Sequence, residues 1–373
     1  MKIEPFQSER LLSVWQNHVT FDFTETGVHP LFLNELVTRE ELDEIYETTQ
    51  LRYIQTNGTP QLKDAICGMY DGVAPDNILV TNGSAEANFI TLWRLLDKGD
   101  EIATMLPNYM QVPGYARSFG VKTNGFYLSA ENGWRLDTES LDTAITDRTK
   151  LIYLCNPNNP TGAILTTEEM DAIVAAADRV GAWILSDEVY RGAELDGEMS
   201  PTFWGRYDKT IVVSGLSKAY TLPGLRIGWL IAPPEVATDS WGYHDYTTIT
   251  TNALSERLAR LAVRPETRAR ILERNRTISA KNLTALTDWI AKRPDLLTFT
   301  KPQIGGVAFV GYNLDINSTA LVDRLLHEKS VLIVPGDAFG LDHHVRIGYG
   351  HPKLPDGLTH IDQVMSGLKD AAA

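Results

Sequence analysis

The residue in this chain best suited to covalent chemistry is Lys218. It lies in SGLSKAYTLPGLRIG, residues 214–228, just past an apolar run and inside a turn rich in Ser and Gly. An amine held against apolar walls or beside cations is expected to have a lowered pKa, which lets it attack a carbonyl carbon and form a Schiff base. Arg226 follows eight residues later. A guanidinium fork there can grip a phosphate with two parallel hydrogen bonds. Three other segments carry groups with related uses. TNGSAEA, residues 81–87, places a glycine turn before a helical pattern, and the free N–H groups of a helix start suit a phosphate. NPNNPTG, residues 156–162, follows the apolar run LIYLC. SDEVY, residues 186–190, follows AWILS and sets Asp187 at its end. An acid at the carboxyl end of a buried parallel strand faces the crevice where open α/β sheets bind ligands. Taken singly, each of these three segments is an ordinary turn or helix cap.

The elements that position these groups are legible as alternating patterns. Strands are expected at Asn77–Thr81, Glu101–Met105, Val121–Tyr127, Leu151–Cys155, Ala182–Ser186, Thr210–Ser214 and Arg226–Ile231. Continuous apolar runs such as LIYLC, AWILS and TIVVS suit strands covered on both faces. Helical patterns lie between them at Ala85–Leu96, Met110–Phe119 and Thr167–Val180. The alternation predicts an α/β unit with a mostly parallel, seven-stranded sheet. After about residue 253 the pattern becomes helix-rich, with helices expected at Ala253–Ala262, Glu266–Arg293 and Ser318–Glu328 and near His360–Lys369. Short strands at Leu297–Thr300, Gly306–Tyr312, Val331–Val334 and Val345–Gly348 complete a smaller α+β unit. The division expected is 46–272 for the large unit, and 1–45 with 273–373 for the small one.

The motifs GSAEA, NPNNPTG, SDEVY, SGLSKAYTLPGLRIGW and VRIGYG, in this order and spacing, resemble those of the class I/II aminotransferases, fold-type I enzymes dependent on pyridoxal phosphate. The resemblance implies that Lys218 carries the cofactor as a Schiff base and later moves protons. It implies that Asp187 pairs with the pyridine nitrogen, that Tyr190 and Asn159 hydrogen-bond the ring's phenolic oxygen, and that Tyr109 stacks on the ring. Ser84, Ala85, Ser217 and Arg226 match the phosphate site. Tyr53, in LRYIQTNGTPQLKDAI, matches a tyrosine that reaches the phosphate of a neighbouring subunit, so a homodimer with shared active sites is implied. Arg346 in VRIGYG matches the arginine that binds the substrate α-carboxylate, with Asn159 as a second contact. One departure is Gly215, where many members carry a hydroxyl residue that touches the phosphate.

The reaction implied is transfer of an amino group from an L-amino acid to a 2-oxo acid. The LPGLRIGW run and the segment from Trp241 to Thr248 resemble a subgroup that includes capreomycidine-synthase-like enzymes. That likeness implies an alternative, elimination and cyclisation, or oxidation, of an arginine-like amino acid. The side-chain pocket is less legible. Gly27 would allow close backbone approach, and His29 could serve as an acid or base near neutrality, although a structural histidine is the plainer reading. Glu25 or Asp245 could pair with a cationic side chain. No second arginine suited to a dicarboxylate substrate stands out.

Composition sets outer limits. The 373 residues carry 34 Lys and Arg against 48 Asp and Glu, a net charge of −14. That balance argues against a nucleic-acid or membrane-surface binder. Regulators that carry this fold need a basic DNA-binding extension, whereas the first 45 residues here are acidic. Two cysteines, Cys67 and Cys155, make no disulfide framework and show no metal-like spacing, so no metal is expected. No run of 18 apolar residues occurs, and a cytoplasmic setting is expected.

Overall fold

The computed structural model describes residues 3–372. Its strands are β1 (Phe21–Asp22), β2 (Ile78–Thr81), β3 (Glu101–Leu106), β4 (Lys122–Ser129), β5 (Arg135–Leu136), β6 (Thr149–Cys155), β7 (Trp183–Asp187), β8 (Thr210–Gly215), β9 (Gly228–Ile231), β10 (Leu297–Phe299), β11 (Val307–Tyr312), β12 (Val331–Leu332), β13 (Val334–Pro335) and β14 (His344–Gly348). The helices are α1 (Gln7–Trp15), α2 (Leu33–Leu36), α3 (Arg39–Thr48), α4 (Pro60–Cys67), α5 (Ser84–Leu95), α6 (Gln111–Ser118), α7 (Thr138–Ala144), α8 (Thr167–Val180), α9 (Pro234–His244), α10 (Ala253–Ala262), α11 (Pro265–Ala291), α12 (Ser318–Lys329) and α13 (Leu354–Ala372).

The large sheet has eight strands in the order β2-β9-β8-β7-β6-β3-β4-β5. Seven match the expected runs. The eighth, two-residue β5, pairs antiparallel with the end of β4 and is too short to carry an alternating pattern. Strands β8, β7, β6, β3 and β4 pair in parallel, while β9 runs antiparallel between β2 and β8. The central strands are buried along almost their whole length, because helices cover both faces. Residues of α7 and α8 pack on one side, and those of α5, α6 and α9 on the other. Helix α8 starts where expected: Thr166 accepts from the Glu169 amide, and Glu169 accepts from the Thr166 amide. This reciprocal capping satisfies two orphan donors.

The sequence reading missed α9. Its apolar and polar residues do not separate onto two faces, and it contains Gly242, so periodicity gave no signal. The expected strand Val331–Val334 is split into β12 and β13, which pair with different partners. The smaller sheet is antiparallel, in the order β10-β11-β14-β13, and α11, α12 and α13 contribute to its core. Near the other end of the chain, β1 pairs in parallel with β12 as a separate two-stranded sheet. None of the described helices is long and apolar enough to cross a membrane.

Register brings the chemistry to one edge. Cys155, Asp187 and Val213 lie side by side across β6, β7 and β8. The segments carrying Asn159, Tyr190 and Lys218 therefore leave the sheet at the same edge.

Candidate active site

A cavity of about 450 Å³ opens at these strand ends. Its walls include eleven of the residues singled out above: Glu25, Ser84, Ala85, Tyr109, Asn159, Asp187, Tyr190, Ser217, Lys218, Arg226 and Arg346. They come from seven separate segments of the chain.

Asp187 ends β7 and is buried. Its Oδ2 accepts from the Asn88 side chain at 3.0 Å, and its Oδ1 from the Val189 amide at 3.3 Å. Burial disfavours its charge and pushes its pKa up to about 6, with the Asn88 hydrogen bond opposing. Asn88, one turn into α5, was not singled out from the sequence. Its signal would have been the i+4 spacing from Ser84, which sets both on one helix face.

Lys218 donates to Glu25 at 2.9 Å. Burial acts to lower the lysine pKa, but the Glu25 carboxylate together with Tyr190 outweighs it and the net shift is upward. The expectation of a depressed amine is thus corrected for the chain by itself: the nearest charged neighbour is an acid. Glu25 responds in kind, with burial raising its pKa and Lys218 lowering it to a net decrease.

The helix start at α5 forms a cradle. Gly83 precedes it with φ of 83°, and no side chain caps the first amides. A Cβ on Gly228 would press against the Ser84 amide nitrogen, and one on Gly83 against the Arg226 guanidinium. Arg226 itself adopts a left-handed backbone, φ 53°, which a non-glycine residue rarely holds and which clusters at functional sites. Its NH1 donates to Pro223 O at 3.0 Å and to Ser217 Oγ at 3.4 Å. At Gly215 a Cβ would meet the Ile227 carbonyl at 2.9 Å. A side chain at this position has no room, and Ser217 stands near Arg226 instead.

Arg346, on β14, is 3 % exposed. It donates to Asn159 Oδ1 at 3.2 Å and to Thr24 O at 2.6 Å, while its Nε has no partner. The NPNNPTG loop that holds Asn159 is organised by its own side chains. Asn158 accepts from Thr161 N and Oγ1 and donates to Pro107 O. Tyr190 is buried, shares a 2.6 Å hydrogen bond with Thr26 Oγ1, and has its hydroxyl pushed up to about 12 by burial. Tyr109 donates to Glu9 at 2.9 Å. Glu9, Thr24 and Thr26 belong to the N-terminal segment, which carries too little pattern to be placed from sequence.

Four singled-out residues lie elsewhere. Gly27 lines a separate small cavity beside Lys218 and Thr221; its backbone does come close to the lysine, but it does not face the main cavity. His29 lies outside the cavity wall, with Nδ1 buried and unpartnered and its carbonyl facing Arg274, because the chain turns away after Thr26. Tyr53 is 75 % exposed on the surface. Asp245 also stays outside the cavity.

Comparison with known proteins places the chain. Residues 32–354 match the family model for aminotransferase class I and II. The chain is 30% identical over 357 residues to a capreomycidine synthase of Streptomyces vinaceus, covering 92% of this chain and 89% of that protein. It is 28% identical over 340 residues to an aspartate aminotransferase of Streptomyces avermitilis, covering 86% and 83%. Among solved structures, a PLP-dependent aminotransferase from Streptococcus suis 89-1591 superposes with a TM-score of 0.92 at 35% identity, covering 99% of both chains.

Proposed function

The chain belongs to the class I and II aminotransferases, a pyridoxal-phosphate-dependent family of fold type I, and from that membership we propose that it transfers an amino group from an L-amino acid to a 2-oxo acid. The observation that carries this reading is convergence. A lysine amine just past β8, a buried acid at the end of β7 and a buried arginine in the middle of β14 meet in one cavity.

The residues present fit the cofactor. The amides of Ser84 and Ala85, cleared by Gly83 and Gly228, would hold its phosphate with Arg226 and Ser217. Asp187, held by Asn88, would face its ring nitrogen, Tyr109 would cover the ring, and Lys218 would anchor it. When bound, pyridoxal phosphate supplies a ring that draws electrons away from the substrate α-carbon.

The chain's own side chains do the rest. Arg346, already holding Asn159, grips the α-carboxylate through a planar fork and fixes which α-carbon bond is presented. Lys218 Nζ would take the α-proton as a base and give it back as an acid two bonds away, the 1,3-shift that amino transfer requires. Buried Asp187 stabilises positive charge at the ring nitrogen. Tyr190 keeps its proton at neutral pH and can donate it in a hydrogen bond to the ring oxygen. Residues 46–272 and the pair 1–45 with 273–373 make up the two units of this reading, and both supply walls of the cavity. A homodimer is proposed with it, supported by the exposed Leu51, Tyr53 and Tyr246.

A second reading, elimination and cyclisation on the same site, is favoured by the likeness to a capreomycidine synthase. One experiment separates the two. Purified holoenzyme is mixed with pools of L-amino acids without a 2-oxo acid, and the bound cofactor is weighed by mass spectrometry. Conversion to pyridoxamine phosphate is the expected result. An amino acid consumed while the cofactor stays unchanged would put the second reading ahead.

A further inference from the structure

The cavity holds more acid than its assigned tasks use. Its lining contains three cations, Lys218, Arg226 and Arg346, and three carboxylates, Glu9, Glu25 and Asp187. On the reading above, Arg226 serves a phosphate, Arg346 an α-carboxylate and Asp187 a ring nitrogen. Lys218 becomes engaged with the cofactor. Glu9 and Glu25 are then left without a counter-charge.

In the chain by itself Glu25 is matched by a cation that the cofactor would engage, and Glu9 has a neutral partner only. Glu25 accepts from Lys218 at 2.9 Å. Glu9 accepts through one oxygen from the Tyr109 hydroxyl at 2.9 Å, a neutral partner. Both lie near enough to Arg346 to act on its charge. Arg346 independently points to an anionic ligand group: it is 3 % exposed, lines the cavity, and its Nε is buried without a partner. Binding an α-carboxylate there removes the positive field that Glu9 and Glu25 now share. A carboxylate held partly out of water needs a new cation, or it pays a desolvation cost.

We infer that Glu9 and Glu25 form the side-chain end of the substrate site and select an L-amino acid with a cationic side chain, of the ornithine, lysine or arginine class, over a dicarboxylate. Among the described residues of this chain, no cation beyond the three lines this cavity, so the chain itself offers a second substrate carboxylate two acids and no partner. The inference rests on the reading that the cavity takes an amino acid by its α-carboxylate. It is independent of whether the amino group is then transferred or eliminated.

The test measures binding. Three α-methyl amino acids, which lack the α-proton and cannot complete turnover, are titrated into holoenzyme by calorimetry: α-methyl-ornithine, α-methyl-leucine and α-methyl-aspartate. The expected order is ornithine analogue tightest, by about tenfold or more over the leucine analogue, and aspartate analogue weakest. Glu9→Gln and Glu25→Gln should each shrink the ornithine-to-leucine ratio several-fold, and the double variant should bring it near one. Using the ratio cancels any change that Glu25→Gln makes at Lys218. Equal affinities, a preference for the aspartate analogue, or a ratio that survives in the double variant would overturn the inference. If none of the three binds, the amino-acid reading itself fails and the inference falls with it. If the ornithine analogue is preferred yet L-ornithine yields no pyridoxamine phosphate, the cation site stands and amino transfer fails.

Discussion

Asp187 shows how a functional group costs stability in the absence of its partner. Its carboxyl titrates near 6 in the folded chain, against 3.8 as the ordinary value. The folded state therefore holds this proton more tightly than the unfolded state does. Stability is full below about pH 4, falls between pH 4 and 6, and stays reduced above that, by on the order of 3 kcal/mol for this group. Cofactor-free Asp187→Asn should accordingly melt several degrees above the parent at pH 8, and the gap should close near pH 4. Thermal melts across that range check it, and a gap of constant size would contradict the burial account. The same variant should lose most turnover, since its amide cannot hold positive charge at the ring nitrogen. Lys218→Ala should abolish turnover outright, and normal turnover in that variant would sink the assignment. Arg346→Ala should act mainly on substrate affinity, read as a KM raised at least tenfold with a smaller change in kcat.

At the scale of elements, the cradle depends on how closely β9 approaches the start of α5. Gly228 pairs with both Thr81 and Gly215 across the sheet, and a side chain there would push against the Ser84 amide. Gly228→Ala should keep the fold yet weaken cofactor retention about tenfold or more, measured by dialysis against phosphate buffer. Retention equal to the parent would mean that the helix start is not the phosphate site. This level also separates what was legible in the sequence from what was not. Strands buried on both faces, such as β6, β7 and β8, announce themselves as apolar runs, and seven of the eight were found within a few residues. Lys218, Asp187 and Asn159 could be placed because each lies at or just past the end of such a run. Helix α9 escaped because it has no apolar stripe. Thr24 and Thr26 escaped because they follow a strand placed by long-range pairing, β1 on β12, and Glu9 because its partner Tyr109 is 100 residues away; neither leaves a local mark. The depressed pKa expected for Lys218 failed for a related reason, since its partner Glu25 is 193 residues away.

For the whole molecule, the exposed aromatic Tyr53 and its neighbour Leu51 are 75 % and 85 % exposed, which is unusual for large apolar side chains unless another surface covers them. In the proposed homodimer, sedimentation velocity should give a species near twice 41.5 kDa. Tyr53→Phe should lower cofactor affinity without dissociating it. A monomeric, fully active holoenzyme would remove Tyr53 from the site and the dimer from the proposal.

The pairing of β1 with β12 has a consequence for how the protein is made. Residue 21 meets residue 331, so the N-terminal segment emerges from the ribosome about 310 residues ahead of its partner. At roughly 5–20 residues per second that is a wait of about 15–60 s. The lysine loop, the acid and the phosphate cradle are all translated during that interval, but Arg346 is not. A nascent chain stalled near residue 330 would hold the groups that receive the cofactor while lacking the arginine that orients an amino acid.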